Sequence, residues 1–186
     1  ITEYEYRLKM IDLSLNICRP GFNATCSLCC GSHNYSLTPG EYNQLFKLRS
    51  IRIKNGFFVN ETEKFQEVVP GAMQCKYVGY TDRGKNEIGC LIHESEPKMT
   101  SSEKEFFRKV CSTFYCKGRD VLTKKEILFA AELTRDWFYY PILITEINYL
   151  RKLVNIYDNP SKITDNEMKK IKNDLIVILN CYINES

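Results

Sequence analysis

Nine cysteines set the strongest constraint on this chain, and eight of them lie before Lys117. They are Cys18, Cys26, Cys29, Cys30, Cys75, Cys90, Cys111, Cys116 and Cys181, accompanied by only two histidines. Thiols at this density bind zinc, hold an iron–sulfur cluster, or pair as disulfides in a secreted protein. Cys26-Ser27-Leu28-Cys29 is a C-x-x-C knuckle, a spacing that lets two thiolates and nearby backbone N–H groups face one cation. Cys30 follows directly, so its side chain is expected to point elsewhere, toward a second ion or a second edge of a cluster. Cys111 and Cys116 are separated by four intervening residues, within the spacing of small metal sites.

The disulfide reading draws on four glycosylation sequons, at Asn23, Asn34, Asn60 and Asn184. Against it stand the odd cysteine count, the vicinal Cys29-Cys30 pair and a chain of 186 residues, long enough to build a core without staples. Metal is the preferred reading, on the knuckle spacing.

The rest of the chain supplies a scaffold. Residues 4–17 alternate apolar and polar, which predicts strand with a slip at Met10-Ile11. Thr38-Pro39-Gly40-Glu41 has the grammar of a helix start: a threonine cap, a proline where the missing donor costs nothing, and a glutamate closing the capping box. Tyr42, Leu45, Phe46 and Leu48 are expected on its buried side, with Asn55-Gly56 ending it. Tyr77–Tyr80 and Ile88–Ile92 flank a polar stretch and predict a hairpin, with Gly84 supplying a positive φ. Cys75 and Cys90 then meet at its open end. From Phe57 to Val69 one or two short strands are expected.

Beyond Gly118 the period changes to three and four. Thr123 with Glu126 and Thr164 with Glu167 form two more capping boxes, and Pro141 is read as restarting a helix that runs through Ile144, Ile147, Leu150, Val154 and Tyr157. Lys169, Lys170 and Lys172 read as a solvated face, Cys181 as a small buried hydrophobe, and Arg119-Asp120 and Arg135-Asp136 as ion pairs at helix ends. The expected architecture is α+β: a small β hairpin and cysteine-rich metal knot covered by C-terminal amphipathic helices. It is read as one domain over 1–186, with the cysteine cluster in 18–118 and the helical cap in 119–186.

A series of ordered blocks carries a family likeness. Thr25-Cys26-Ser27-Leu28-Cys29-Cys30-Gly31 is followed by Leu37-Thr38-Pro39-Gly40-Glu41. Cys75-Lys76-Tyr77-Val78, Cys90-Leu91-Ile92-His93-Glu94 and Cys111-Ser112-Thr113-Phe114-Tyr115-Cys116 come after. This order resembles the bacterial and archaeal cysteine-cluster family of zinc- or iron-chelating domains, over roughly residues 23–118. The family's first cysteine falls on Asn23, with Cys18 a possible substitute, and His93 stands where the family often has tyrosine. The resemblance implies thiolate coordination through an ordered cysteine series; a similar cluster in the flagellin lysine methylase keeps an iron–sulfur enzyme as the alternative.

The expected ligands are therefore Cys26, Cys29, Cys30, Cys75, Cys90, Cys111 and Cys116, with zinc first and an iron–sulfur cluster second. His33 and His93 are weaker candidates. No G-x-G-x-x-G, P-loop, H-E-x-x-H or G-x-S-x-G is present, so no catalytic residue is assigned. A net charge of +3 from 26 basic and 23 acidic residues gives no argument for nucleic acid, and no apolar run reaches the ~18–20 residues that span a bilayer. The expected partners are a metal ion and an unspecified protein. The expected compartment is the cytoplasm, with secretion the alternative under the disulfide reading.

Overall fold

All three capping boxes form. A computed structural model describes residues 15–56, 65, 67–69, 71, 74–81, 86–92, 100–111 and 113–184. Helix α1 (Pro39–Lys54) opens with the Thr38 side chain accepting from the Glu41 N–H, and Glu41 Oε2 accepts from the Thr38 N–H at 2.7 Å. The hairpin pairs β1 (Val78–Tyr80) with β2 (Ile88–Cys90) in antiparallel register, Val78 facing Cys90, Gly79 facing Gly89 and Tyr80 facing Ile88. Then come α2 (Ser101–Phe106), running into a π-helical turn at Phe107–Cys111, α3 (Lys117–Val121), α4 (Lys124–Thr134), α5 (Tyr139–Thr145), α6 (Ile147–Tyr157) and α7 (Asp165–Asn184). Helices and a small antiparallel sheet make this an α+β chain. The expected strands over residues 4–14 lie outside the described residues, as does most of Phe57–Val69; within it Glu67 bridges Tyr35.

The chain divides into two compact units. One holds the described parts of Ile1–Cys26 and Lys117–Glu185. Its centre is α4, whose residues Glu126 to Ala131 are buried without a break, packed against α5 and α6. Phe129, Tyr140, Leu143, Leu150 and Leu175 are fully enclosed. The N-terminal segment joins this core: Ile17 is buried, and its carbonyl accepts from the Tyr140 hydroxyl at 2.7 Å.

Three details of this unit depart from the sequence reading. The helix expected to run from Pro141 to Tyr157 is two helices, broken where Glu146 takes φ −88° and ψ 64°. Arg135 pairs with Glu132 at 3.5 Å, whereas Asp136 accepts from the Phe138 and Tyr139 N–H groups and caps the start of α5. Cys181 is exposed, because α7 outruns the core after Leu175. Arg119 and Asp120 do approach each other, at 4.0 Å on the surface. Lys169 and Lys170 are exposed, and Lys172 Nζ lies 4.8 Å above the Tyr139 ring.

Glu126 links the α4 cap to α6. It accepts from the Thr123 N–H at 2.7 Å and receives Arg151 Nε at 2.7 Å. Burial acts to raise its pKa, but the Thr123 and Arg151 bonds outweigh it and hold the carboxyl below its ordinary 4.5. A carboxyl lowered by folding stabilises fully above its unfolded value, and that stabilisation is lost as pH falls through the folded value. Glu126→Gln should therefore lower Tm at neutral pH and flatten the decline as pH falls below about 4.5. Thermal melts followed by circular dichroism test this; parallel pH profiles for the two proteins would remove Glu126 from the acid response.

The second unit spans Ser27–Cys116. Helix α1 lies on β1, and Tyr42, Leu45, Phe46, Val78, Ile88 and Ile92 are buried in this unit. Leu48, expected on the buried face, is 41% exposed; Arg49 and Ser50 take the inward positions instead. The contact is close because Gly79 has no side chain: a Cβ there would stand 2.8 Å from Ser50 Oγ and 3.1 Å from the Phe46 carbonyl. Tyr42 adds a second brace, its hydroxyl accepting from the Tyr35 N–H at 2.7 Å and donating to the Tyr35 carbonyl at 2.6 Å. In the hairpin loop a positive φ falls on Asn86, while Gly84 lies outside the described residues.

Candidate metal centre

Long-range pairing in the second unit carries the cysteines toward one another. Leu28–Cys30 forms a 3-10 turn closed by Gly31 in the left-handed region at φ 67°, where glycine meets no Cβ penalty. This tight turn brings the vicinal sulfurs together, Cys29 Sγ to Cys30 Sγ at 4.0 Å, so they do not diverge as expected of consecutive side chains. The Cys30 carbonyl accepts from the Cys75 N–H at 2.8 Å, and Ser27 Oγ donates to the Ile88 carbonyl at 3.5 Å. Those two bonds dock the turn on both arms of the hairpin. The hairpin brings Cys75 and Cys90 to the same end, and the π-helical turn delivers Cys111.

Five sulfurs result, those of Cys29, Cys30, Cys75, Cys90 and Cys111, close enough for their charges to repel. The Cys30 hydrogen bond to Cys29, then burial, then the charges of Cys29, Cys75 and Cys90 push Cys30 far up. Burial, with Cys75, Cys111 and Cys29, pushes Cys90 up to about 12. Cys75 and Cys111 are raised too, chiefly by burial. Cys29 moves the other way, to about 7, because the Cys30 thiol donates to it and the Cys29 and Cys30 N–H groups add to that.

Backbone donors aim at the sulfurs. The Tyr77 N–H donates to Cys75 and the Ile92 N–H to Cys90, each two residues on in a turn. Such bonds favour the thiolate over the thiol and orient it. Among the described residues no three His, Cys, Asp or Glu side chains are drawn into a ready coordination shell. Thiols are soft donors, and the N–H bonds to the Cys75 and Cys90 sulfurs favour their thiolate forms.

The remaining candidates are placed differently. Cys116 is half-buried in the same unit but is not one of the five. Cys26 falls in the helical unit, where its N–H donates to the Cys18 carbonyl at 3.0 Å. His33 is buried, with Nδ1 2.9 Å from Ser32 Oγ and its ring centroid 6.0 Å from that of Tyr42. His93 lies outside the described residues.

Two features bear on the disulfide reading. Among the described residues no disulfide joins the cysteines. Asn34, one of the four sequon asparagines, is 7% exposed and accepts from the Val69 N–H at 2.9 Å, so this fold has no room for a glycan there. Arg49 is the residue that sequence reasoning passed over. Its signal was available: it falls three and seven residues after Phe46 and Tyr42, a charged side chain in the register of a buried stripe. No protein-family model, curated protein or solved structure matches this chain.

Proposed function

We propose that this protein binds zinc through thiolates drawn from Cys29, Cys30, Cys75, Cys90 and Cys111, in a structural or metal-handling role. What supports the reading is the docking of the Cys29–Cys30 pair, its sulfurs 4.0 Å apart, on the Cys75 turn of a hairpin that also carries Cys90, with backbone N–H groups directed at Cys75 and Cys90. Zinc accepts four soft ligands in a tetrahedron and keeps thiolates deprotonated, which offsets the burial and repulsion that hold these groups as thiols without it. The likeness of residues 23–118 to the cysteine-cluster family points to the same chemistry. A thiol set of this kind requires a reducing compartment such as the cytoplasm. Among the described residues no helix is long and apolar enough to cross a membrane.

A second reading, an iron–sulfur cluster, is favoured by one feature. Five thiols exceed a single tetrahedral site, and only the Cys29–Cys30 sulfurs lie within 4.0 Å among the contacts described. A polynuclear centre spreads its cysteines further apart than one ion does.

Elemental analysis and a visible spectrum of protein purified without oxygen separate the two. One to two equivalents of zinc and a colourless sample are expected. A brown sample containing iron and sulfide would replace zinc by the cluster. No metal after reconstitution with either would overturn both readings.

A further inference from the structure

We infer that Arg49 is a positioning residue for the proposed metal site: its buried guanidinium grips the turn that carries Cys75 and fixes a positive charge beside that residue. The inference rests on the metal-binding reading above. Arg49 is 4% exposed, an unusual position for a permanent charge. Its Nη1 donates to the Cys75 carbonyl at 3.3 Å and approaches the Val78 carbonyl at 3.5 Å, while Cζ sits 5.7 Å from the Phe46 ring centroid.

The Cys75 carbonyl also accepts from the Val78 N–H at 3.1 Å, so Arg49 clamps both ends of one tight turn. The same peptide ties the turn to Cys30 through the Cys75 N–H. Arg49 thus acts on the segment that joins the vicinal pair to the hairpin. Lys76 is the other cation facing Cys75, but it is exposed, with Nζ 5.1 Å from the Tyr77 ring centroid, and water screens it.

The physical need is plain. Thiolates that outnumber the charge of their cation leave a surplus of negative charge, and burial makes that surplus costly. A guanidinium cannot lose its proton in a protein, so its charge is present whether or not metal is bound. Screened weakly by its surroundings, it favours the metal-loaded form over the protonated, empty one.

The test is cobalt(II) titration of the reduced full chain, following the sulfur-to-cobalt charge-transfer band and competing with a chelator. Arg49→Met should bind roughly 10–100-fold more weakly, the range typical of residues one shell beyond a metal. Arg49→Lys, which keeps the charge, should recover most of that loss. Should Arg49→Met fail to fold without metal, Arg49→Gln keeps an amide donor but no charge and carries the same expectation. A neutral variant as tight as wild type, or Arg49→Lys as weak as the neutral variants, would overturn the role of Arg49 while leaving the metal site standing. Wild-type protein without any charge-transfer band would overturn both.

Discussion

Cys75→Ser is expected to lower zinc affinity by more than about 100-fold, beyond the range typical of a residue one shell out from a metal. Cys75 is coupled to the other four: Cys30, Cys90 and Cys111 feel its charge, and it feels that of Cys29. Serine keeps the backbone bond to the Cys30 carbonyl and the turn to Val78, both made by main-chain atoms. It removes only the sulfur, and an alcohol is a hard, reluctantly ionised ligand in its place. The binding energy of the ion is folding energy for its surroundings, so the loss also appears as a lower Tm for the second unit in the presence of zinc. Chelator competition and thermal melts measure the two effects. The matched control is Cys181→Ala, whose exposed thiol sits on α7 in the other unit. Full zinc retention by Cys75→Ser, or loss of zinc from Cys181→Ala, would remove the five-thiol assignment.

The second large effect concerns backbone packing rather than sulfur. Gly79→Val should destabilise the second unit by about 1–3 kcal/mol or more, the range for overpacking a close contact. A Cβ at Gly79 meets Ser50 Oγ at 2.8 Å, Leu91 Cδ1 at 2.9 Å and the Phe46 carbonyl at 3.1 Å. The carbonyl cannot move without the helix, and the Ser50 hydroxyl is held by that same carbonyl at 2.7 Å. The strain is therefore relieved by lifting α1 off β1. Arg49 goes with α1 and withdraws from the Cys75 and Val78 carbonyls. Gly89→Ala is the contrast, because its Cβ meets only the Thr81 Cγ2 methyl, at 3.0 Å. The Thr81 methyl need give by only a few tenths of an ångström, and alanine also restricts the unfolded chain, an opposing gain of about 0.4–1 kcal/mol. Gly89→Ala should thus stay within about 1 kcal/mol of wild type by urea unfolding. Equal losses at the two glycines would mean that α1 and β1 yield more easily than their contact implies.

Local chemistry was legible from residues alone. Thr38 with Glu41, Thr123 with Glu126 and Thr164 with Glu167 each satisfy helix-end donors within four residues, so nothing distant is needed to set them. The hairpin follows from its two apolar runs and polar loop for the same reason. The break at Glu146 escaped because the spacing of apolar residues continues across it. What differs is burial: α5 is enclosed from Tyr140 to Ile144, whereas α6 buries Leu150 and Leu153. Cys181 has apolar neighbours in sequence, yet its exposure depends on where the core ends along α7. Such outcomes belong to packing, which periodicity within one segment does not encode.

The sequence by itself determined how many thiols the chain carries and how they are spaced, since residue type and spacing are local facts. Tertiary structure alone decided which cysteine segments lie side by side. The 3-10 turn at Leu28–Cys30 sets the vicinal sulfurs 4.0 Å apart, and the Cys75–Cys30 backbone bond and the β1–β2 register place the Cys75 and Cys90 segments beside that turn. It also put Arg49 under the Cys75 turn, because a helix can bury a charged side chain only where another element offers it carbonyls. Convergence of this kind depends on contacts between residues far apart in the chain, and only a folded backbone specifies them.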